Sequence, residues 1–336
     1  MSSNHVTWEP DVLGSGFEQT TLPLGADAEG LVVATLVKYT APIEPGWIDR
    51  LFGRGKHLAA NTDVLYIHGW ADYFFQRHLA EYWRSQGANF YALDLRKFGR
   101  SIRPHQTPGF IEDLNTYDED IEAALDVMGH GRGQRNERKL VLMGHSMGGL
   151  IFSLWQAHHP ARADALVLNA PWLEYQLTSA VRKAAAPVIG LQAKVRPKSQ
   201  MVNIDFGLYN RATSVNRDGE WAFNETWRPA GGFGVRSAWM NAILAGHAEV
   251  ARGLDITVPV LTLLSDKSLL IPTWRKEMMY CDIAIDVDIV AARCRNLGDT
   301  VTIARIRRAM HDVFLSKQPA RAQSFDAISR WMKAYL

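Results

Sequence analysis

Cysteine is scarce in this chain of 336 residues, which contains only Cys281 and Cys294. Two cysteines form neither a disulfide framework nor the cluster of ligands that a structural metal site needs. The first ten residues, MSSNHVTWEP, also lack the basic start and apolar segment of a secretory signal. We therefore expect a protein of a reducing compartment and predict a cytoplasmic location.

An excess of charge of one sign and long apolar runs are missing as well. The 37 lysines and arginines and 35 aspartates and glutamates leave a formal net charge of +2, which does not indicate nucleic acid as a partner. No apolar run approaches the roughly 18 residues that a membrane-spanning helix needs. Apolar residues nevertheless make up 47% of the chain, so we expect a soluble globular protein with a large core.

Short apolar runs alternate with longer helical patterns along most of the chain. The runs predict eight strands, at 17–24, 30–39, 63–69, 89–95, 138–144, 164–170, 258–264 and 300–306. Strands that alternate with crossover helices indicate an α/β protein with a mostly parallel sheet and helices on both faces. The alternation fails after the sixth strand, so we predict a core of residues 1–171 and 237–336 that is interrupted by an insertion at 172–236.

The segment KLVLMGHSMGGLIF contains a G-x-S-x-G sequence, Gly144 to Gly148, between a predicted strand and a predicted helix. In this setting the sequence predicts a sharp turn that lifts Ser146 above the carboxyl end of the sheet. Strand and helix approach closely there, so the residues two before and two after the serine must be small. The helix N-terminus offers backbone N–H groups to a developing negative charge. We predict Ser146 as a catalytic nucleophile.

Acyl transfer by a serine also needs a second N–H donor and a general base. In folds that carry this turn, the donor lies after the third strand and the base after the last strand. The third predicted strand ends in LYIHGWADYFF, so we predict the backbone amides of Trp70 and Met147 as the oxyanion hole. Of the eleven histidines, His311 alone lies in a loop after the final predicted strand, and we predict it as the base.

Five segments, HGWADYF, ALDLRKFGRS, GHSMGG, VPVLTLL and MHD, occur in the order and at about the spacing of the α/β-hydrolase superfamily. The chain resembles the branch of monoacylglycerol lipases, lysophospholipases and serine aminopeptidase-like hydrolases, from about Leu31 to the end. It departs from the branch at Lys97, where glycine is usual. The resemblance implies an α/β-hydrolase fold with a cap inserted after strand six. It also implies hydrolysis through an acyl-enzyme, without cofactor or metal.

The resemblance places the third triad residue, an acid, after the seventh strand, in the pattern P-V-L-x-L-x-G-x-x-D. Here PVLTLLSDKS puts Ser268 at the position of the acid and Ser265 at that of the glycine. Three explanations compete: Asp266 replaces the acid from two residues earlier, the acid is lost, or an insertion has displaced it downstream.

Displacement agrees best with the residues that follow. Lipases of this branch often show D-x-x-x-D, in which the first aspartate belongs to the triad and the second starts the next helix. Asp282 and Asp286 have this spacing directly before a predicted helix, and Asp286 or Asp288 suits its N-terminal turn. We therefore predict Asp282 as the acid, Asp266 as the alternative, and residues 267–280 as an inserted excursion.

Residues 172–236 occupy the place of the cap that covers the site in this superfamily. The segment is rich in aromatic residues, which suit an apolar acyl-binding pocket. We predict four of them as substrate-binding residues, namely Trp221, Phe223, Trp227 and Phe233. Packing of the cap onto the core is an equally good explanation for these rings.

The cap also has a basic stretch, because no acidic residue occurs between Glu174 and Asp205. Its five basic residues are Arg182, Lys183, Lys194, Arg196 and Lys198. They favour a solvated charged face, with weak contact to an anionic membrane surface as the alternative.

The residues and the resemblance favour a serine hydrolase of the carboxylesterase or lipase type, acting on a small-molecule ester with an apolar acyl group. An amidase or aminopeptidase of the same mechanism is one alternative, and it would need a carboxylate near the cap, such as Glu174, to hold a substrate amine. A ligand-binding homologue with an impaired site is another, because the acid is displaced. The sequence leaves the natural substrate and the oligomeric state open.

Overall fold

One sheet crosses the part of the chain that the computed structural model describes, residues 6–42, 57–175, 179–201 and 206–336. Its strands there are β1 (Glu9–Pro10), β2 (Phe17–Asp27), β3 (Gly30–Tyr39), β4 (Thr62–Ile67), β5 (Asn89–Asp94), β6 (Lys139–His145), β7 (Ala165–Asn169), β8 (Val260–Ser265) and β9 (Val301–Ile306). They lie in the order β1-β2-β3-β5-β4-β6-β7-β8-β9. Pairings are antiparallel from β1 to β5 and parallel from β5 to β9.

The predicted α/β fold is confirmed, with nine strands among the described residues instead of eight. All eight predicted strands are present, and the additional one is β1. It contains two residues, which pair with Glu18 and Gln19 at the edge of the sheet. Two residues cannot show a period, so this strand is set by its neighbour and not by a local sequence pattern.

Helices cover both faces of the sheet. In the described residues they are α1 (Arg77–Ser85), α2 (Tyr117–Met128), α3 (Met147–His158), α4 (Ser179–Val195), α5 (Leu208–Thr213), α6 (Ser237–Arg252), α7 (Val287–Cys294) and α8 (Gln318–Tyr335). Side chains of α1 and α8 pack on one face, and those of α2, α3, α6 and α7 pack on the other. None of the helices in the described ranges is long and apolar enough to cross a membrane.

Strands β4, β6, β7 and β8 of the parallel part are buried, as their continuous apolar sequences predict, whereas the edge strand β9 is partly exposed. In β6, Leu140 and Leu142 join the core beneath α2 and α3, whereas Val141 and Met143 join the core beneath α1 and α8. Successive side chains of a strand point to opposite faces, which explains this division. The carboxyl ends of β4, β6, β8 and β9 meet at one edge of the sheet, and loops that follow them lie close together.

Between β7 and α6 the chain leaves the alternating pattern, as predicted, but it forms α4 and α5, which the sequence analysis did not predict. We call residues 172–236 the cap segment, and its boundaries stay a prediction. Helix α4 contains Pro187 and packs against α6. Residues 176–178 and 202–205, and the side chains of 179–186 with Arg182 and Lys183, lie outside the described part, as do residues 43–56.

Lys97, the departure from the family pattern, lies in the loop after β5 with φ 63°. This left-handed conformation is one that glycine adopts easily and that other residues adopt at a cost. The buried ammonium group lies 2.5 Å from the Asp27 carboxylate and 2.7 Å from that of Glu29. Lysine therefore occupies a backbone conformation suited to glycine, and two ion pairs with the β2–β3 hairpin offset the strain.

Candidate active site

Ser146 lies in the turn between β6 and α3, with φ 51° and ψ −113°. Such a conformation is strained for a serine and persists only where the surroundings impose it. The surroundings here are backbone: a Cβ on Gly144 would lie 2.4 Å from the Gly148 carbonyl oxygen, and a Cβ on Gly148 would lie 2.5 Å from that of Ile67. The two glycines therefore let strand, helix and β4 approach closely enough to hold the serine in the turn.

The structure brings Ser146, His311 and Asp282 together, although up to 165 residues separate them in the sequence. His311 Nε2 lies 3.0 Å from Ser146 Oγ, and His311 Nδ1 lies 2.8 Å from Asp282 Oδ2. Both His311 and Asp282 are buried. With Nδ1 protonated and bonded to the carboxylate, Nε2 is free to accept a proton from the serine hydroxyl.

Residues 267–280 leave the end of β8, and a short backbone pairing brings the chain back to it at Asp282. This pairing places Asp282 beside His311. The amide of Leu269 donates to the Asp282 carbonyl at 2.8 Å, and the Asp282 amide donates to the Lys267 carbonyl at 3.0 Å. These bonds form a parallel bridge between Ser268 and Asp282. Ser268, which stands at the family position of the acid, is therefore next to the residue whose carboxylate bonds His311.

The carboxylate of Asp282 is fixed on both oxygens. Its Oδ1 accepts hydrogen bonds of 2.8 Å from the amides of Ala284 and Ile285, while Oδ2 faces His311. Ser265, at the family position of a glycine, ties the two loops together through a 2.7 Å hydrogen bond to the Ala309 carbonyl. The acid loop and the histidine loop therefore hold one another at the carboxyl ends of β8 and β9.

The other three aspartates of this region have different partners. Asp266 is exposed and accepts a 3.0 Å hydrogen bond from the Arg308 amide. Asp286 caps α7 by accepting from the backbone amides of the two residues after Val287. Asp288 lies in the first turn of α7 and is exposed. Among these carboxylates, the structure joins only Asp282 to His311.

The loop after β4 lies against the serine. A Cβ on Gly69 would be 3.2 Å from the Ser146 Cβ, so the next amide, that of Trp70, is close to the turn. Neither the Trp70 amide nor the Met147 amide takes part in a turn, loop or cap hydrogen bond within the described residues. Two N–H groups near a serine are what a developing oxyanion needs.

His68 holds the start of this loop. Its Nδ1 lies 2.8 Å from the Gly69 carbonyl and donates to it, so Nε2 accepts the Leu95 amide at 3.2 Å. Burial lowers the pKa of His68, which agrees with a neutral ring that donates at one nitrogen and accepts at the other. Through these two contacts the His68 ring holds the backbone of this loop against that of Leu95.

A second buried carboxylate, Asp312, follows the histidine directly, and the sequence analysis did not select it. It accepts hydrogen bonds from Asn169 Nδ2 at 2.7 Å, Gln76 Nε2 at 3.0 Å and the Phe314 amide at 2.9 Å. Burial by itself raises the pKa of Asp312, but the nearby His145 and these hydrogen bonds bring it below its usual value. The ionised carboxylate therefore anchors the histidine loop to β7 and to the loop before α1.

The four predicted substrate-binding aromatics divide into two groups. Phe233 packs edge-on against the Trp70 ring at 5.8 Å between centroids, and Trp70 in turn lies 3.7 Å from Trp239 of α6. The other three, Trp221, Phe223 and Trp227, belong to a separate apolar cluster that contains Tyr73, Phe75 and Met310. Their role in binding stays a prediction, and their contacts also serve to pack the cap segment onto the core.

Comparisons with known proteins agree with this geometry. A family model described as serine aminopeptidase, S33, matches residues 59–291. A monoacylglycerol lipase from Mycolicibacterium smegmatis is 27% identical over 279 residues, which are 81% of this chain and 88% of the relative. The crystal structure of a Paleococcus ferrophilus monoacylglycerol lipase superposes with a TM-score of 0.60 at 17% identity, covering 82% of this chain and 95% of that one.

A soluble variant of the Saccharomyces cerevisiae monoglyceride lipase, solved with a substrate analog, gives a TM-score of 0.58 at 14% identity and covers 100% of this chain and 99% of that one. At such low identities the structural matches establish the fold alone. Together with the family match over residues 59–291 and the Mycolicibacterium smegmatis relative, they confirm the expected resemblance to the α/β-hydrolases.

Replacing Asp282 by asparagine should lower kcat by about 10³- to 10⁴-fold, because His311 would lose the carboxylate that fixes its tautomer and stabilises its charged form. Asp266→Asn is the matched control, since Asp266 is exposed and bonds Arg308. We expect it to retain activity within about twofold, as exposed sites usually have small effects. Steady-state kinetics with a soluble ester measures kcat for both variants. A loss of kcat that is confined to Asp266→Asn would identify Asp266 as the acid.

Proposed function

Because the chain belongs to the serine aminopeptidase S33 family, we propose that it is a serine hydrolase that cleaves carboxylic esters with an apolar acyl group. The observation that carries the proposal is the line of contacts from Ser146 Oγ through the His311 ring to Asp282. The backbone amides of Trp70 and Met147, near Ser146, also support the proposal. The similarity to monoacylglycerol lipases supports an ester as substrate.

In the proposed reaction, His311 Nε2 takes the proton of Ser146 as Oγ attacks the ester carbonyl carbon. The Trp70 and Met147 amides stabilise the resulting oxyanion. His311 then gives its proton to the departing alcohol, leaving the acyl group on Ser146. Water attacks the acyl-enzyme with His311 again as base, and the acid is released. Asp282 holds the ring and stabilises its positive charge throughout.

The cap segment is proposed to cover this site and to form the acyl pocket. Phe233 supports the proposal because it packs against Trp70, whose amide is a predicted oxyanion donor. The backbone of Trp172, at the start of the cap segment, also donates a 2.9 Å hydrogen bond to the Ser146 carbonyl. Aromatic side chains around the loop of the predicted oxyanion hole suit an alkyl chain better than a polar acyl group.

The amidase and aminopeptidase alternative has less support. Glu174, the candidate for holding a substrate amine, is buried and forms an ion pair with Arg293. Its charge is therefore already balanced. The impaired-homologue alternative depended on a displaced acid, and the bond between Asp282 and His311 argues against it. We keep a cytoplasmic location as part of the proposal, supported by two cysteines that are free and buried.

A fluorophosphonate probe, which reacts with an activated serine, tests the reaction class. We expect the wild-type chain to be labelled at Ser146 and the Ser146→Ala variant to remain unlabelled, as read by intact-protein mass spectrometry and peptide mapping. Ser153→Ala is the control, because its hydroxyl bonds the Gly149 carbonyl inside α3. A wild-type chain that resists the probe would show that this is not a serine hydrolase, and equal labelling of Ser146→Ala would show that Ser146 is not the nucleophile.

A series of p-nitrophenyl esters tests the acyl preference. Each buried methylene contributes about 0.8 kcal/mol, so kcat/KM should rise at least about tenfold from the acetyl to the octanoyl ester. Phe233→Ala should reduce the octanoyl value selectively, since a ring that lines the acyl pocket contacts a long chain more than an acetyl group. A preference for acetyl over octanoyl would contradict an apolar acyl pocket.

The proposal also includes contact of the cap segment with an anionic bilayer, which its outer surface supports. Val188, Leu191 and Val195 are 66%, 64% and 69% exposed and share one face of α4 through their spacing of three and four residues. Lys194 and Arg196 are exposed beside them. An apolar stripe with adjacent cations and no acidic side chain suits an interface that is apolar and negatively charged.

Sedimentation with vesicles tests this contact in the Ser146→Ala background, where the lipid cannot be cleaved. Leu191→Glu should weaken binding to phosphatidylglycerol-containing vesicles by about tenfold, since burying one leucine is worth about 1.5–3 kcal/mol. Val12→Glu is the matched control, because Val12 is 67% exposed and lies outside the cap segment. No binding by the parent protein, or an equal loss with Val12→Glu, would rule out docking through α4.

A further inference from the structure

The catalytic histidine of the proposed reaction lies in a loop, residues 310–315, that core residues hold through several hydrogen bonds. Beyond the Asp312 carboxylate already described, the Val313 amide donates to Asn169 Oδ1 at 3.2 Å. The Met310 amide donates to Ser316 Oγ at 2.8 Å, within the loop region itself. These bonds fix the residues on either side of His311 but leave the amide directly after it to another partner.

That partner is Tyr209, which belongs to α5 of the cap segment. The Asp312 amide donates a 3.1 Å hydrogen bond to the Tyr209 hydroxyl oxygen. The Tyr209 ring stands edge-on to the His311 ring, with 5.6 Å between centroids and 80° between planes. One cap side chain therefore contacts both the imidazole and the backbone of the next residue, so it restricts the position and the rotation of His311.

Tyr209 is itself held by a buried cap arginine, Arg228. The guanidinium carbon of Arg228 lies 5.1 Å from the centre of the Tyr209 ring, and its Nη1 donates to Thr213 Oγ1 at 3.0 Å. Its Nε lies 3.0 Å from Asp72 Oδ1, and both side chains are 5% exposed. Asp72 follows Trp70 by two residues, so the same cluster that holds Tyr209 also contacts the loop of the predicted oxyanion hole.

A second cap contact reinforces the arrangement. Trp221 Nε1 donates a 2.7 Å hydrogen bond to the Leu315 carbonyl, at the far end of the histidine loop. The cap segment thus bonds the loop at Asp312 and at Leu315. Of these two contacts, the one at Asp312 is adjacent to the base. The Tyr209 ring packs on the His311 ring from the cap segment, and the His145 ring lies 4.9 Å from it, between centroids, within the core.

We propose that Tyr209 is a positioning residue, which holds His311 between Ser146 and Asp282 and so makes the cap segment part of the catalytic machinery. The inference rests on the proposed hydrolase function. Proton transfer from Ser146 and to the leaving group requires His311 Nε2 at hydrogen-bond distance from both, and small displacements of a base cost large factors in rate. A tyrosine that anchors the base acts on turnover and leaves substrate affinity nearly unchanged.

Tyr209→Phe removes the hydroxyl and keeps the ring, so it tests the hydrogen bond to Asp312. With a soluble p-nitrophenyl ester, kcat should fall about tenfold while KM changes less than about twofold. The rate of fluorophosphonate labelling should fall by the same factor as kcat. Tyr82→Phe is the matched control, because the Tyr82 hydroxyl is also partly buried and bonded, to Ser329 Oγ at 2.8 Å, between α1 and α8.

Amide hydrogen exchange gives a readout that does not depend on activity. The Asp312 amide loses its acceptor in Tyr209→Phe, so its exchange should accelerate at least about tenfold, whereas Tyr82→Phe should leave it unchanged. The inference would be overturned if Tyr209→Phe kept the kcat and the Asp312 amide exchange rate of the wild-type chain. It would also be overturned if Tyr82→Phe lost as much kcat as Tyr209→Phe. A raised KM with unchanged kcat would make Tyr209 a substrate contact instead. If the wild-type chain is inactive, the proposed function is refuted. The exchange measurement then still tests the hydrogen bond between the Asp312 amide and Tyr209.

Discussion

A short backbone pairing between Ser268 and Asp282 decides which carboxylate faces His311. The residues between them leave the end of β8 and return to it, and the two hydrogen bonds of the bridge fix where they return. The neighbouring acids are engaged elsewhere: Asp266 accepts from the Arg308 amide, Asp286 caps α7, and Asp312 accepts from Asn169 and Gln76. The proposed chemistry therefore depends on two backbone hydrogen bonds that contain no catalytic atom.

The same edge of the sheet gathers the remaining groups. The close approach at Gly144 and Gly148 holds Ser146 in a strained turn, and the Gly69 loop lies against it. Buried charges then fix the loops: Asp312 accepts from Asn169 and Gln76, and Asp72 pairs with Arg228. Burying such charges is costly unless each is paired and hydrogen-bonded. These contacts give a site with little freedom to rearrange, as preorganised catalysis requires.

Much of this architecture could be predicted from the sequence, because its signals are local. The eight strands follow from apolar runs, and the turn at Ser146 follows from two glycines at fixed spacing. Asp282 was a harder prediction, since it depended on a D-x-x-x-D spacing and not on distance from β8. The structure places its carboxylate 2.8 Å from His311 Nδ1.

What the sequence could not reveal are contacts between distant segments. Asp312 and Asp72 stood within the MHD and HGWADYF segments, yet nothing local marks a carboxylate as buried and paired. Tyr209 and Arg228 lie in the cap segment, where no periodic pattern predicts α5, and they approach His311 only after the cap has packed. The left-handed backbone of Lys97 also depends on a distant segment, because the carboxylates that pair with its side chain lie more than sixty residues away.

The proposed chemistry requires the bond between His311 and Asp282, and proton NMR can observe this bond. A proton on imidazole Nδ1 that is shared with a buried carboxylate gives a strongly deshielded resonance, which can be observed without substrate. We expect this resonance in the wild-type chain and in Asp266→Asn, and its loss in Asp282→Asn and His311→Gln. A resonance that persists in Asp282→Asn and disappears in Asp266→Asn would show that Asp266, and not Asp282, bonds the histidine.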